Sequence, residues 1–82
     1  MLFFKDKIER NFNLSRETRI IYRFLKKKKM WYKASDISNE VNLDFTSVCS
    51  RLKYLYSIGI IQKKETNKND KWFTYYKIRC GV

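Results

Sequence analysis

Few residues in this 82-residue chain could carry covalent chemistry. It has no histidine, which removes the commonest general base and metal ligand. Cys49 and Cys80 are too few and too far apart in sequence for a metal motif or a disulfide framework. Cys49 has no imidazole to activate it and falls inside a stretch of helical periodicity, so it reads as a small core-edge residue. Only two glycines are present, which rules out a Gly-rich phosphate cradle, and no carboxylate pair stands out. The expectation is a protein that is not an enzyme and needs no cofactor or metal. What remains is the chemistry of hydrogen bonding, positive charge and stacking. Its densest cluster is Thr46, Ser47, Ser50, Arg51, Lys53 and Tyr54. An ordinary solvated helix face would use the same residue types, so context must decide.

The context is charge. Nineteen Lys and Arg stand against eight Asp and Glu, a net charge of +11. Such a field draws polyanions and bears on partners rather than on fold. Nucleic acid is the first candidate and an anionic membrane surface the second. No apolar run approaches the ~20 residues that span a bilayer. The opening MLFFKDKIERNF meets charge at once and does not read as a signal peptide. An intracellular, cytoplasmic protein without a membrane segment is expected, at the nucleoid or in a host cell. Eighty-two residues with 44% hydrophobic content suit one domain with one core.

The cluster must be positioned by the stretch 42–59. Asp44 can cap a helix. Val48, Leu52 and Leu55 recur at helical spacing, with Phe45 and Ile58 at the ends, and Gly59 stops the run. The opposite side then presents the hydroxyls, Arg51, Lys53 and Tyr54, which suits insertion into a DNA groove. Before it, ASDISNEV (34–41) reads as a short helix with Ser35 as its cap and Asp36 in its first turn. Two short helices joined by a tight turn form a helix-turn-helix pattern. Ser15 caps a further helix from Arg16 to about Lys29, whose lysine run 26–29 matches the carbonyl end of the helix. Met30 to Tyr32 reads as a one-turn connection or a brief strand. After Gly59, IIQKKE (60–65) and KWFTYYKIR (71–79) flank a polar loop at 66–70, a β-hairpin. Trp72, Thr74, Tyr76 and Ile78 share one face of the second strand, and Phe73, Tyr75 and Lys77 the other. Both faces carry aromatics, so one is left exposed or set against a partner. Residues 1–14, with Leu2, Phe4, Ile8 and Phe12 on one side, read as a short helix that docks on the domain or as a dimer contact.

In this order the elements resemble a winged helix-turn-helix domain, of the kind found in small archaeal and bacterial transcription regulators of the MarR-like and ArsR-like groups. ASDISNEVNLDFTSVCSRL resembles their turn-and-helix run, LKYLYSIGII their helix end, and KWFTYYKI their second wing strand. The resemblance covers roughly residues 15–79. It implies an α+β fold with a three-helix core, a C-terminal β-hairpin wing, an extra N-terminal segment 1–14 and a tail 80–82. It implies a double-stranded DNA binder acting in transcription regulation, working as a homodimer, with helix 44–58 in the major groove. Arg51 would then read a guanine edge, while Thr46 and Ser47 would hold phosphates. Ser50, Lys53 and Tyr54 would support them. Lys63, Lys64, Lys68 and Lys71 would carry the wing along the backbone or into the minor groove, with Asn67 and Asn69 near its tip. The Cys and His ligands of the ArsR-like metal sites have no counterpart here. The wing proline pair of left-handed-DNA binders is absent too.

One departure favours the alternative, a winged-helix protein-interaction module in a replication or transcription assembly. Residues 34–59 hold only Arg51 and Lys53 against Asp36, Glu40 and Asp44. The positive charge lies on either side: eight Lys and Arg against one Glu in residues 15–33, and six against two acids in 60–82. Affinity for DNA would therefore come mostly from the first helix and the wing.

Overall fold

The computed structural model describes residues 8, 12 and 14–79. Most of segment 1–14, the tail 80–82 and Cys80 therefore lie outside the described residues. Helix α1 spans Arg16–Lys28. Ser15 caps it in extended backbone, accepting from the Thr18 N–H at 3.4 Å, while the two hydroxyls pair at 2.8 Å. Glu17 in the first turn and Lys26, Lys27 and Lys28 in the last suit the two ends of the helix dipole. Lys29 closes the helix in the left-handed conformation, its N–H on the Leu25 carbonyl.

Strand β1 is the brief Tyr32–Lys33, the second of the two readings open for this piece. Helix α2 follows directly at Ala34–Val41. Its cap is Lys33 rather than Ser35, with extended backbone and no side-chain cap bond. The strand supplies the reason. Lys33 is held extended by pairing with Tyr75, so the helix begins at the next residue and Ser35 is already inside it. Asn42 takes the left-handed conformation and ends α2. The turn is then fastened from both sides. The Leu43 N–H donates to the Ser38 carbonyl at 3.2 Å, and the Ser38 hydroxyl donates to the Leu43 carbonyl at 2.5 Å.

Helix α3 runs Phe45–Ser57, capped by Asp44, whose carboxylate accepts from the Ser47 N–H at 3.3 Å. It ends in a doubly bonded stop. Gly59, at φ 80°, donates to the Tyr56 carbonyl, and Ile60 donates to Leu55. Leu55 and Ile60 are both buried, as this stop favours.

Strands β2 (Ile61–Lys68) and β3 (Lys71–Ile78) form the hairpin, and β1 pairs with the other edge of β3, giving an antiparallel sheet in the order β1-β3-β2. The hairpin is tighter than the expected loop at 66–70. Thr66, Asn67 and Lys68 are paired with Phe73, Trp72 and Lys71, leaving a two-residue turn. Asn69 and Asp70 both have positive φ, 54° and 61°. Short polar side chains tolerate that region, and such mirror-image turns match the twist of the strands.

The core joins all three helices to one face of the sheet. Leu14, Ile21, Tyr22, Leu25, Ile37, Val48, Leu52 and Leu55 are buried with Ile60, Ile61 and Ile78. Phe24 and Tyr32 meet at 5.1 Å between ring centres and tie β1 to α1. Ile8 and Phe12 pack partly buried against this core. Beyond Gln62 every residue of β2 is exposed, so the distal hairpin stands clear of the body as a wing.

Candidate nucleic-acid interface

The face of α3 opposite the core is free of the rest of the described chain. Thr46, Ser50, Lys53, Tyr54 and Ser57 are exposed along it. The cause is the spacing of Val48, Leu52 and Leu55, which are fully buried and turn the intervening residues outward. Ser47 and Arg51 lie on the flank of this face and are half-buried. Arg51 buries its Nε without a hydrogen-bond partner among the described residues. A buried N–H of a charged group without an acceptor is costly.

The other flank of α3 meets the wing. Tyr56, 46% exposed, lies under Lys63, whose Nζ is 4.9 Å from the ring centre. Lys63 also stands 3.9 Å from Glu65, an exposed pair worth little. The exposed side of α3 and the helix-facing side of the wing thus form one continuous surface. Trp72, 68% exposed, belongs to that same wing face. At the tip, Lys68 and Lys71 are paired directly across the strands. Like charges so placed repel. Neither approaches a carboxylate within ion-pair distance among the described residues.

Lys64 departs from the set. Strand alternation turns it to the opposite face of the sheet, against Trp31 and Tyr75. Of the wing lysines only Lys63 therefore sits with α3; Lys68 and Lys71, at the tip, lie at the far end of the face that carries Lys64. Sequence reasoning missed Tyr56 and Trp72. Tyr56 is concealed by its place between Leu55 and Ser57, although it falls seven residues after Cys49, on the helix flank beside the wing. Trp72 shares its face with Tyr76 and Ile78, and with aromatics on both faces the sequence did not say which face is exposed. Only the register of the tight turn reveals that it lies too far out to be covered.

The folded environment perturbs one nearby acid. Burial raises the pKa of Tyr76, and the neighbouring Cys49 and Glu65 push it further up.

Helix-turn-helix, third helix and antiparallel wing together define a winged helix-turn-helix domain. Solved structures agree on the fold. A possible transcriptional regulator from Methanosarcina mazei Go1 is similar over 90% of this chain at 21% identity and a TM-score of 0.83. The match covers 63% of that protein, so this chain spans under two thirds of its length. Stf76 from the Sulfolobus islandicus plasmid-virus pSSVx matches over 80% of this chain and 83% of its own, at 17% identity and a TM-score of 0.65. The reduced form of the transcriptional regulator YodB from B. subtilis matches over 95% and 76%, at 17% identity and a TM-score of 0.71. No protein-family model matches the sequence, and no curated protein matches it. The MarR-like and ArsR-like assignment is thus narrower than the likeness, which at these identities is one of fold. Among the described residues no helix is long and apolar enough to cross a membrane.

Proposed function

We propose that this chain binds double-stranded DNA and acts in transcription regulation, with α3 in the major groove and the wing on the adjacent backbone or minor groove. The observation that carries this reading is the continuous surface joining the exposed side of α3 to the wing through Tyr56 and Lys63. Thr46, Ser47 and Ser50 hold phosphates near the start of the helix, where backbone N–H groups also point outward. Arg51 swings its guanidinium to a base edge, Lys53 and Tyr54 extend the contact by one turn, and Lys68 and Lys71 clamp a phosphate at the wing tip. The names of the similar solved structures support a regulator. A homodimer belongs to the same reading, since regulators of this kind pair two half-sites with two copies.

Salt dependence tests it. Engaging ~5–8 phosphates gives a log–log slope of about −5 to −7 between affinity for duplex and salt concentration. Absence of duplex binding at low salt would sink the proposal.

A second reading, a winged-helix protein-interaction module, is favoured by one observation. The exposed side of α3 carries Phe45, Tyr54 and Tyr56, and residues 34–59 as a whole hold three acids, all before α3, against Arg51 and Lys53. Aromatic residues are enriched at protein interfaces. Under that reading duplex binding is weak at every salt concentration, while substitution of Phe45 and Tyr54 disrupts an assembly.

A further inference from the structure

The sheet has a second face that the duplex reading does not use. Tyr76, Ile61 and Ile78 point toward the helices. Alternation therefore turns Lys33, Lys64, Phe73, Tyr75 and Lys77 to the opposite side, with Trp31 two residues before Lys33. Lys64 is exposed on this side, and Trp31, Lys33, Phe73, Tyr75 and Lys77 are half-buried. The lysines and rings interleave. Lys64 Nζ lies 4.6 Å from the Trp31 ring centre and 5.7 Å from that of Tyr75. Lys77 lies 5.8 Å from Trp31, and Lys33 lies 5.3 Å from Phe73. Of the remaining paired positions on this face, Gln62 and Thr66 are neutral and Lys68 and Lys71, at its far end, add positive charge, while Glu65 belongs to the other face.

We propose that this outer face is a separate site for an unpaired nucleic-acid strand, which stacks its bases on Trp31, Phe73 and Tyr75 and lays its phosphates on Lys33, Lys64 and Lys77. Three arguments select that occupant. The face is positive without a carboxylate, so its complement is a polyanion. A second copy seated on it about a two-fold axis would set lysines against lysines, which disfavours a dimer there. The bases of a duplex have their faces already stacked and cannot use these rings, whereas an unpaired strand offers both bases and phosphates. The existing lysine–ring contacts do not block it. An exposed ammonium over a ring is a weaker partner than a stacked base, and the displaced lysine gains a phosphate.

The test uses the full chain carrying Trp72→Phe, so that Trp31 is the only indole. The probe is an oligothymidylate of about 12 nucleotides, within the range such sites occupy. Binding quenches Trp31 emission, and Tyr75→Thr weakens it roughly 5- to 100-fold while duplex affinity stays the same. Lys33→Gln with Lys77→Gln, a pair that leaves the rings in place, lowers the salt slope for the oligonucleotide by about 1.4. Three results overturn the proposal: no quenching at low salt, quenching that duplex DNA competes away, or affinity that neither set of substitutions changes. Self-association abolished by Tyr75→Thr, without oligonucleotide binding, also overturns it and makes the face an interface between copies. The duplex site stands or falls separately, because Arg51 lies on α3, away from this face, and is read with duplex alone, while Lys68 and Lys71 at the far end of the face are left unchanged in every variant.

Discussion

Arg51 combines a stability liability with a position beside the exposed side of α3. Its buried Nε finds no acceptor. Arg51→Ala therefore removes an unsatisfied group as well as a charge. Duplex affinity should fall by about 1–3 kcal/mol with relaxed preference at one base position, while the melting temperature holds or rises. Equal loss on every sequence would make Arg51 a phosphate contact only. At the wing tip, replacing Lys68 and Lys71 together by Ala should weaken binding uniformly and lower the duplex salt slope by about 2. An unchanged slope would remove the wing from the interface. Tyr76 gives a pH signature. Its pKa is raised in the folded state, so its contribution is complete below the unfolded value of 10.0 and is lost as pH rises through the folded one. Tyr76→Phe should flatten the part of the alkaline stability loss that begins near that pH, as followed by denaturant unfolding.

At the scale of elements, the stop after α3 invites a clean experiment. A Cβ added to Gly59 would meet only Arg79 Nη1 at 3.6 Å, an ordinary contact. Gly59→Ala therefore isolates backbone strain from steric clash, and about 1–2 kcal/mol of stability should be lost through the left-handed φ alone. A much larger loss in chemical denaturation would mean that the turn itself rearranges. This element was legible beforehand because its signals are local: an Asp cap, a three-residue apolar rhythm and a terminal glycine. Helix α2 was legible in extent but not in its cap. The hydroxyl of Ser35 suggests a cap, but the pairing of Lys33 with Tyr75, distant in sequence, moves the boundary back by two residues. The wing was legible as a hairpin and misjudged in its turn. Asn69 and Asp70 are less distinctive than a glycine-containing pair, so the polar run 66–70 looked like loop although most of it is strand.

At the scale of the molecule, the candidate site was legible as a list of residues on α3 and only in part on the wing. Lys63 and Lys64 are neighbours in sequence and opposites in space. Which one joins α3 follows from register, and register is fixed by a turn that sequence alone placed too loosely. Charge follows the same logic. The α2–α3 unit carries two basic residues against three acids, while α1 and the hairpin carry most of the cations. Long-range attraction for a polyanion thus comes from regions flanking the α2–α3 unit, and under the proposed duplex reading this suits fast encounter followed by local inspection.

Between the last turn of α3 and the first pair of β2 there is no slack: Ile58, Gly59 and Ile60 are all committed to hydrogen bonds. Helix and hairpin behave mechanically as a rod welded to an arm. Eight strand residues make that arm about 26 Å long. A tilt of about 5° in the helix would sweep the far end by about 2 Å, enough to make or break a hydrogen bond. If α3 and the wing sit in neighbouring grooves as proposed, small mismatches along one groove would be magnified into contact or separation at the next.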